Sequence, residues 1–393
     1  MGGDIMVHAR GYGNIVLLLL LVLLPLTYAL PFAGYILIFA IAVISLPTLY
    51  IVLTHYSTIE KDAKKMLLPF GLYILWLLFM LLNSNLTEGT VVRIIQMLGC
   101  LFAFVCGSLI KFSEGQIRAF RRIIQAILIV NIIDWFIAGM PLQRYSFIVP
   151  NTATYGSILF CWIMFLSIFK EKNLFDWIML AVGIALLYFS TARASLAAVA
   201  TFITISFLLN LRLNRKGHSV VFLHTVLIVA IVGFAMVILF YAESRYTPLG
   251  IKLNELSIKY FGKYLYSGRQ IIWHELLEAI KERPFLGYGL NTLPSDIYDT
   301  HLSAHNTFLQ VALQCGIVGL GLLGNILLTI SRKVFNSRDP WYAVIGLASM
   351  ISIILHECFE ACLVQNMLVA GLQMWLMLGF MTNKTVVKGK SNE

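Results

Sequence analysis

Apolar runs of about twenty residues, divided by short polar breaks, fill most of the chain, and the rhythm fails only once, between Tyr241 and Ser303. A helix of that length crosses a hydrocarbon core of about 30 Å. The pattern predicts twelve spans, near 14–31, 35–54, 66–83, 91–110, 119–137, 152–169, 174–190, 194–210, 220–241, 304–330, 341–361 and 363–381. The expected fold class is all-α: a polytopic integral membrane protein of about 12 transmembrane helices, with one large extracytoplasmic loop carrying amphipathic helices. Three regions follow: 1–241 as an N-terminal transmembrane bundle, 242–303 as the extracytoplasmic loop, and 304–393 as C-terminal transmembrane helices with a short cytoplasmic tail. The run from Asn14 to Leu30 follows a weakly charged start containing Arg10 and is long enough to remain as the first span.

The polar break has its own periodicity. Leu253 to Leu265 shows helical spacing with Lys252, Lys259 and Lys263 on one side. From Gln270 to Arg283, Ile271, Ile272, Leu276, Leu277 and Ile280 recur with Trp273 beside them, which predicts an amphipathic helix on the membrane or packed across the bundle. Pro284 ends that helix, and Gly287 and Gly289 supply a turn. Secondary transporters tend to show two matching halves. A single late loop with no counterpart in the first half argues against transport.

Composition supports a lipid environment: 59% hydrophobic and 12% charged residues, where a soluble domain carries about 25% charged, and a mean hydropathy of +0.84. The net charge of +10 reports topology rather than nucleic-acid binding. With the N-terminus in the cytoplasm, nineteen of the 29 Lys and Arg residues fall on inner loops and inner helix ends, the positive-inside bias. Cys100, Cys106, Cys161 and Cys315 fall within spans, where cysteine behaves as a small hydrophobe. Cys358 and Cys362, one helical turn apart, read as packing residues rather than a disulfide or metal pair.

Against this apolar background a few polar residues stand out. Arg193 lies among the small residues Ser190, Thr191, Ala192, Ala194 and Ser195, where two spans meet with almost no loop. It either snorkels to outer headgroups or grips a phosphate through its planar fork. Arg269, after Gly268 and before Gln270, opens a predicted helix, and helix N-termini attract anions. His305-Asn306 precedes Gly316-Ile-Val-Gly319, which is read as the opening of a helix. An imidazole suits proton transfer from a hydroxyl near neutral pH, while Asn306 could hold a sugar hydroxyl or the loop itself. His301 with Asp296 and Asp299 makes a divalent-metal site worth weighing, but no HExxH pattern is present and no metal is expected. His356, Glu357 and Glu360 cluster near an outer helix end, placed to line the same cavity, pair with Arg193 or reach the interface.

These elements resemble the O-antigen ligase/polymerase superfamily of bacterial envelope glycosyltransferases. The resemblance rests on STARASL at 190–196, SGRQIIW at 267–273, ERPFLGYGLNT at 282–292 and AHNTFLQVALQCGIVGLGLL at 304–323. It implies a metal-independent inverting transferase, without a cofactor, in the bacterial cytoplasmic (inner) membrane. Both termini would be cytoplasmic and the site would face the periplasm or cell exterior. It further implies that Arg193 and Arg269 bind the diphosphate of an undecaprenyl-diphosphate-linked glycan and that His305 acts on the acceptor hydroxyl. Asn306, Gln270, His301, Glu357 and Glu360 are supporting candidates. Cationic stabilisation of a dianionic leaving group is the chemistry such residues supply. The expected activity is repeat-unit polymerisation of O-antigen, capsule or exopolysaccharide, with ligation onto lipid A-core as the alternative and a flippase or other transporter as the outgroup. Membrane lipids and a chain-length regulator are the remaining expected partners; nucleic acid is not.

Overall fold

The structure is a computed structural model that describes residues 33–54, 61–84, 87–109, 113–149, 151–216, 219–261, 264–266, 268–300, 303–337, 339–365 and 367–382. The first expected span and both chain termini lie outside them. The described residues form an all-helical fold of thirteen α-helices: α1 Ala33–Thr54, α2 Lys61–Met80, α3 Glu88–Leu109, α4 Glu114–Ile137, α5 Thr152–Ser167, α6 Leu174–Ser190 and α7 Arg193–Lys216. These are followed by α8 Val220–Glu243, α9 Pro248–Phe261, α10 Arg269–Glu282, α11 Thr307–Phe335, α12 Pro340–Glu357 and α13 Leu368–Thr382. Among the described residues five stretches, Glu88–Leu109, Arg193–Arg212, Val220–Tyr246, Thr307–Phe335 and Pro340–Glu357, are long and apolar enough to cross a membrane.

Helix limits follow local chemistry. Ser113 caps α4 and Asn173 caps α6, each in a reciprocal box with the residue three positions on, Gln116 and Asp176. Asp339 caps α12, with Pro340 in the first turn where its missing N–H costs nothing. α6 closes at Thr191 in the left-handed region (φ 58°), and α7 starts two residues later at Arg193.

Burial separates an inner group of helices from an outer one. α12 and α13 are buried along nearly their whole length. α13 packs on α3 through Trp375, which meets Phe104 and Phe70 edge-on, while those two rings stack at 4.5 Å. α8 instead exposes Val221, Val229, Val232 and Met236, the face of a helix turned to lipid. α10 takes the second of its two expected placements and packs across the bundle, burying Ile272, Trp273, Leu276 and Ala279 against α8 and α11.

Candidate active site

The site begins with one hydrogen bond that ties α10 to the chain ahead of α11. Trp273, wholly buried, donates from Nε1 to the Ala304 carbonyl at 2.7 Å. That fixes the approach to His305, a non-glycine residue held at φ 43°, a backbone conformation that surrounding contacts must enforce. Asn306 then caps α11: its Oδ1 accepts from the N–H groups of Phe308 and Leu309, and its Nδ2 donates to the Cys358 carbonyl. Both amide atoms hold backbone, so of the two roles open to Asn306 the structure gives it the loop. α11 therefore starts at Thr307, well before Gly316, which lies inside the helix rather than at its opening.

Glu360 sits just beyond the C-terminal end of α12. Its backbone is drawn in from two sides, by its own N–H donating to His356 and by Thr307 N–H donating to its carbonyl. The carboxylate divides its two oxygens. Arg269 Nη2 donates to Oε1 at 3.1 Å, and His305 Nδ1 lies 3.0 Å from Oε2. The Glu360 side chain is 5% exposed, against 24% for Arg269 and 32% for His305. A nearly buried carboxylate thus bridges a guanidinium and an imidazole that both reach solvent. Burial by itself raises the Glu360 pKa, but the His305 hydrogen bond and the Arg269 charge outweigh it, and the carboxyl rests below its ordinary value. Among the described residues no hydrogen bond engages His305 Nε2, so the ring is held by one nitrogen and offers the other. Gln270 is buried and turns its Oε1 back onto the Gly268 N–H at the start of α10.

α11 is broken nine residues after its start. Gly316 has φ 66° and ψ −173°, which interrupts the helical ladder. The carbonyls of Leu313 and Gln314, deprived of helical partners, accept from Tyr288 and Gly289 N–H at 2.8 and 3.1 Å, and Ile317 N–H donates to the Pro284 carbonyl at 2.7 Å. The turn at 284–289 and the break are therefore one construction, in which the turn partners two carbonyls and one N–H that the break frees. A Cβ at Gly316 would lie 1.9 Å from the Phe285 carbonyl oxygen, and one at Gly287 would lie 2.5 Å from the Leu313 oxygen. Beside the break, Gln310 and Gln314 both donate to the Thr292 carbonyl.

Arg193 stands apart from this cluster. It is exposed at the first position of α7 and makes no hydrogen bond or ion pair among the described residues. Glu357 does not pair with it. The Glu357 carboxylate is fully buried and takes up His356, Thr307 and two backbone N–H groups. Asp296 spends its carboxylate on the Leu293 N–H of a short 3-10 turn, and His301 lies outside the described residues. The grouping of metal-type side chains that the described residues do form is His356, Glu357 and Cys362. Sequence reasoning missed Thr307, Ser157 and Ser195 as network members. A hydroxyl inside an apolar run is the available signal, and it does not name its partner.

The fold and site define a class: a helical membrane protein with a guanidinium–carboxylate–imidazole set beside a broken helix. The comparisons narrow it. Residues 178–324 match the family described as O-antigen ligase. A stretch of 117 residues is 28% identical to a protein of Rickettsia conorii named "Putative polysaccharide ligase", covering 26% of this chain and 28% of that relative. Both matches support the O-antigen ligase/polymerase superfamily, and the family match contains Arg193, Arg269, His305 and Gly316 but ends before Glu360.

Proposed function

We propose that this chain is a membrane glycosyltransferase that moves a glycan from undecaprenyl diphosphate to an acceptor hydroxyl, with inversion and without a metal. The acceptor oxygen attacks the anomeric carbon as the bond to the diphosphate oxygen breaks. The hydroxyl proton passes to His305 Nε2, and the diphosphate leaves as an anion. Arg269 keeps further N–H donors beyond the one given to Glu360, so it can grip phosphate oxygens while staying anchored. Arg193, exposed and without an ion pair or hydrogen bond among the described residues, supplies a second cation, and neutralising the leaving group lowers its barrier. The observation that carries this reading is the Glu360 bridge, which holds an imidazole by one nitrogen, the other unengaged among the described residues, beside a guanidinium. The site faces the periplasm or cell exterior, because the basic helix ends at Arg212, Arg332 and Lys333 lie at the opposite ends of α7 and α11.

Polymerisation of lipid-linked repeat units is the first reading, since ligation additionally demands a lipid A-core acceptor and with it a Gram-negative host. Ligation is the second, favoured by the names of the matched family and relative. Surface glycan from a deletion strain carrying the wild-type chain or His305→Ala tests both. Single-repeat glycan still attached to its final acceptor in the deletion strain identifies a polymerase. Loss of all attached glycan, with long polymer on the lipid carrier, identifies a ligase. His305→Ala should reproduce the deletion pattern while remaining in the membrane; normal product from it would remove His305 from the mechanism.

A further inference from the structure

A second polar group, which the proposed chemistry does not use, lies buried behind the first. His356 and Glu357, the last two residues of α12, are both 0% exposed. Glu357 Oε2 accepts from Thr307 Oγ1 at 2.5 Å and from the N–H groups of Cys362 and Leu363 at 2.9 and 2.8 Å. Its Oε1 lies 2.9 Å from His356 Nδ1. The other ring nitrogen, Nε2, lies 3.0 Å from Ser157 Oγ on α5 and 3.2 Å from Ser195 Oγ on α7. Phe160 stacks on the ring at 5.2 Å.

Glu357 Oε2 already takes three donors, its Oε1 faces His356 Nδ1, and His356 Nε2 faces two serine hydroxyls, so the ligand atoms of this grouping are engaged by protein partners and it does not read as a metal centre. A buried ionisable pair also adds little net stability over apolar residues of the same volume. What this one supplies is direction. On one side it reaches Ser195, two residues after Arg193 in the first turn of α7. That turn is tightly seated, because a Cβ on the neighbouring Gly156 would fall 2.2 Å from Ala192 Cβ. On the other side it holds Thr307, which follows His305 by two residues, and the 357–363 turn that carries Glu360.

We infer that His356 and Glu357 are positioning residues that fix the Arg193 end of α7 against the turn bearing Glu360 and His305. They set the separation between Arg193 and the cluster of Arg269, Glu360 and His305, so that both guanidiniums meet the diphosphate while His305 meets the acceptor hydroxyl. The inference rests on the glycosyl-transfer reading above.

The test cuts the edges of the network, because Glu357→Gln at its centre can unfold the bundle. Full-length protein in lipid nanodiscs is assayed for binding of a fluorescent undecaprenyl-diphosphate analogue and for turnover. Ser195→Ala should weaken analogue binding and raise donor KM about tenfold with kcat within about twofold, the loss expected from one hydrogen bond in a charged network. Ser195→Thr, which keeps the hydroxyl, should restore it. Thr307→Val should lower kcat about tenfold at unchanged donor KM. Because each acts through a named partner, Ser195→Ala should add nothing in an Arg193→Ala background, and Thr307→Val nothing in Glu360→Gln. Multiplicative losses in those backgrounds, or single variants equal to wild type, overturn the inference. If Arg193→Ala itself leaves analogue binding unchanged, the diphosphate assignment falls and takes the inference with it. That failure is distinct from additive losses in a background where Arg193→Ala does weaken binding.

Discussion

Replacing Glu360 with glutamine changes one atom and removes one charge at the centre of the site. The carboxylate is 5% exposed and accepts from Arg269 at 3.1 Å and from His305 at 3.0 Å. Glutamine retains a carbonyl oxygen for Arg269 but presents an N–H₂ group to His305 Nδ1, so the bond orienting the imidazole is lost. A hydrogen bond to a charged partner contributes about 1.5–3 kcal/mol. A loss of about 2 kcal/mol corresponds to about 30-fold in kcat. Donor KM should not rise, because Arg269 keeps its acceptor and its remaining donors for phosphate. The assay is turnover of purified protein against donor concentration. A kcat within twofold of wild type, or a raised donor KM at unchanged kcat, refutes the assignment of Glu360 as the residue that orients His305. The pH dependence provides a second check. The Glu360 carboxyl is depressed, so its bridging contribution is complete above the ordinary carboxylate range, falls as pH drops below the ordinary value and is gone once pH has passed the lower folded value. Wild-type melting temperature should therefore hold above the ordinary carboxylate range and decline from there downward as far as this group is concerned. The acid-side decline that Glu360 causes should be missing from Glu360→Gln.

Other substitutions probe the remaining parts. Arg193→Lys should lose most activity, since a point charge does not reproduce a planar two-pronged grip; full activity from lysine would show that charge alone suffices. Gly316→Ala should lower the melting temperature of the purified protein sharply, with a cost of about 3 kcal/mol or more from a left-handed φ and a Cβ 1.9 Å from the Phe285 oxygen. A wild-type melt would mean that α11 tolerates closure of its break. Chelation with EDTA should leave turnover in washed membranes intact, and a loss rescued by a divalent cation would return attention to His301 and to the buried His356, Glu357 and Cys362.

Hydropathy carries far in this chain because lipid allows so few alternatives. The expected spans from 35–54 onward fall on described helices, and Pro284 does end α10's stretch of chain, with Gly287 and Gly289 turning after it. Periodicity could not say which face of α10 would be covered. That was decided by Trp273, whose indole N–H had to find the Ala304 carbonyl once buried. Gly316 was legible as special but misread as a helix start, since a break and a beginning leave the same local mark: a glycine followed by apolar residues. Arg269 and His305 were recognisable as chemistry, yet the link between them comes from Glu360, 91 and 55 positions further along the chain. No local pattern encodes a contact over such a separation. For the same reason the Ser157–His356–Ser195 contacts stayed hidden, although each residue was visible as a polar atom in an apolar run.

The pairing of the 284–289 turn with the break in α11 bears on how this chain can be recombined with its relatives. Tyr288, Gly289 and Pro284 complete a helix that lies more than twenty residues downstream, and that helix has no ladder of its own at those points. A chimera that imports the loop alone would leave three backbone bonds to chance. Grafts meant to transfer specificity therefore have to carry 284–289 and 313–317 together, as one exchangeable module with its ends outside both.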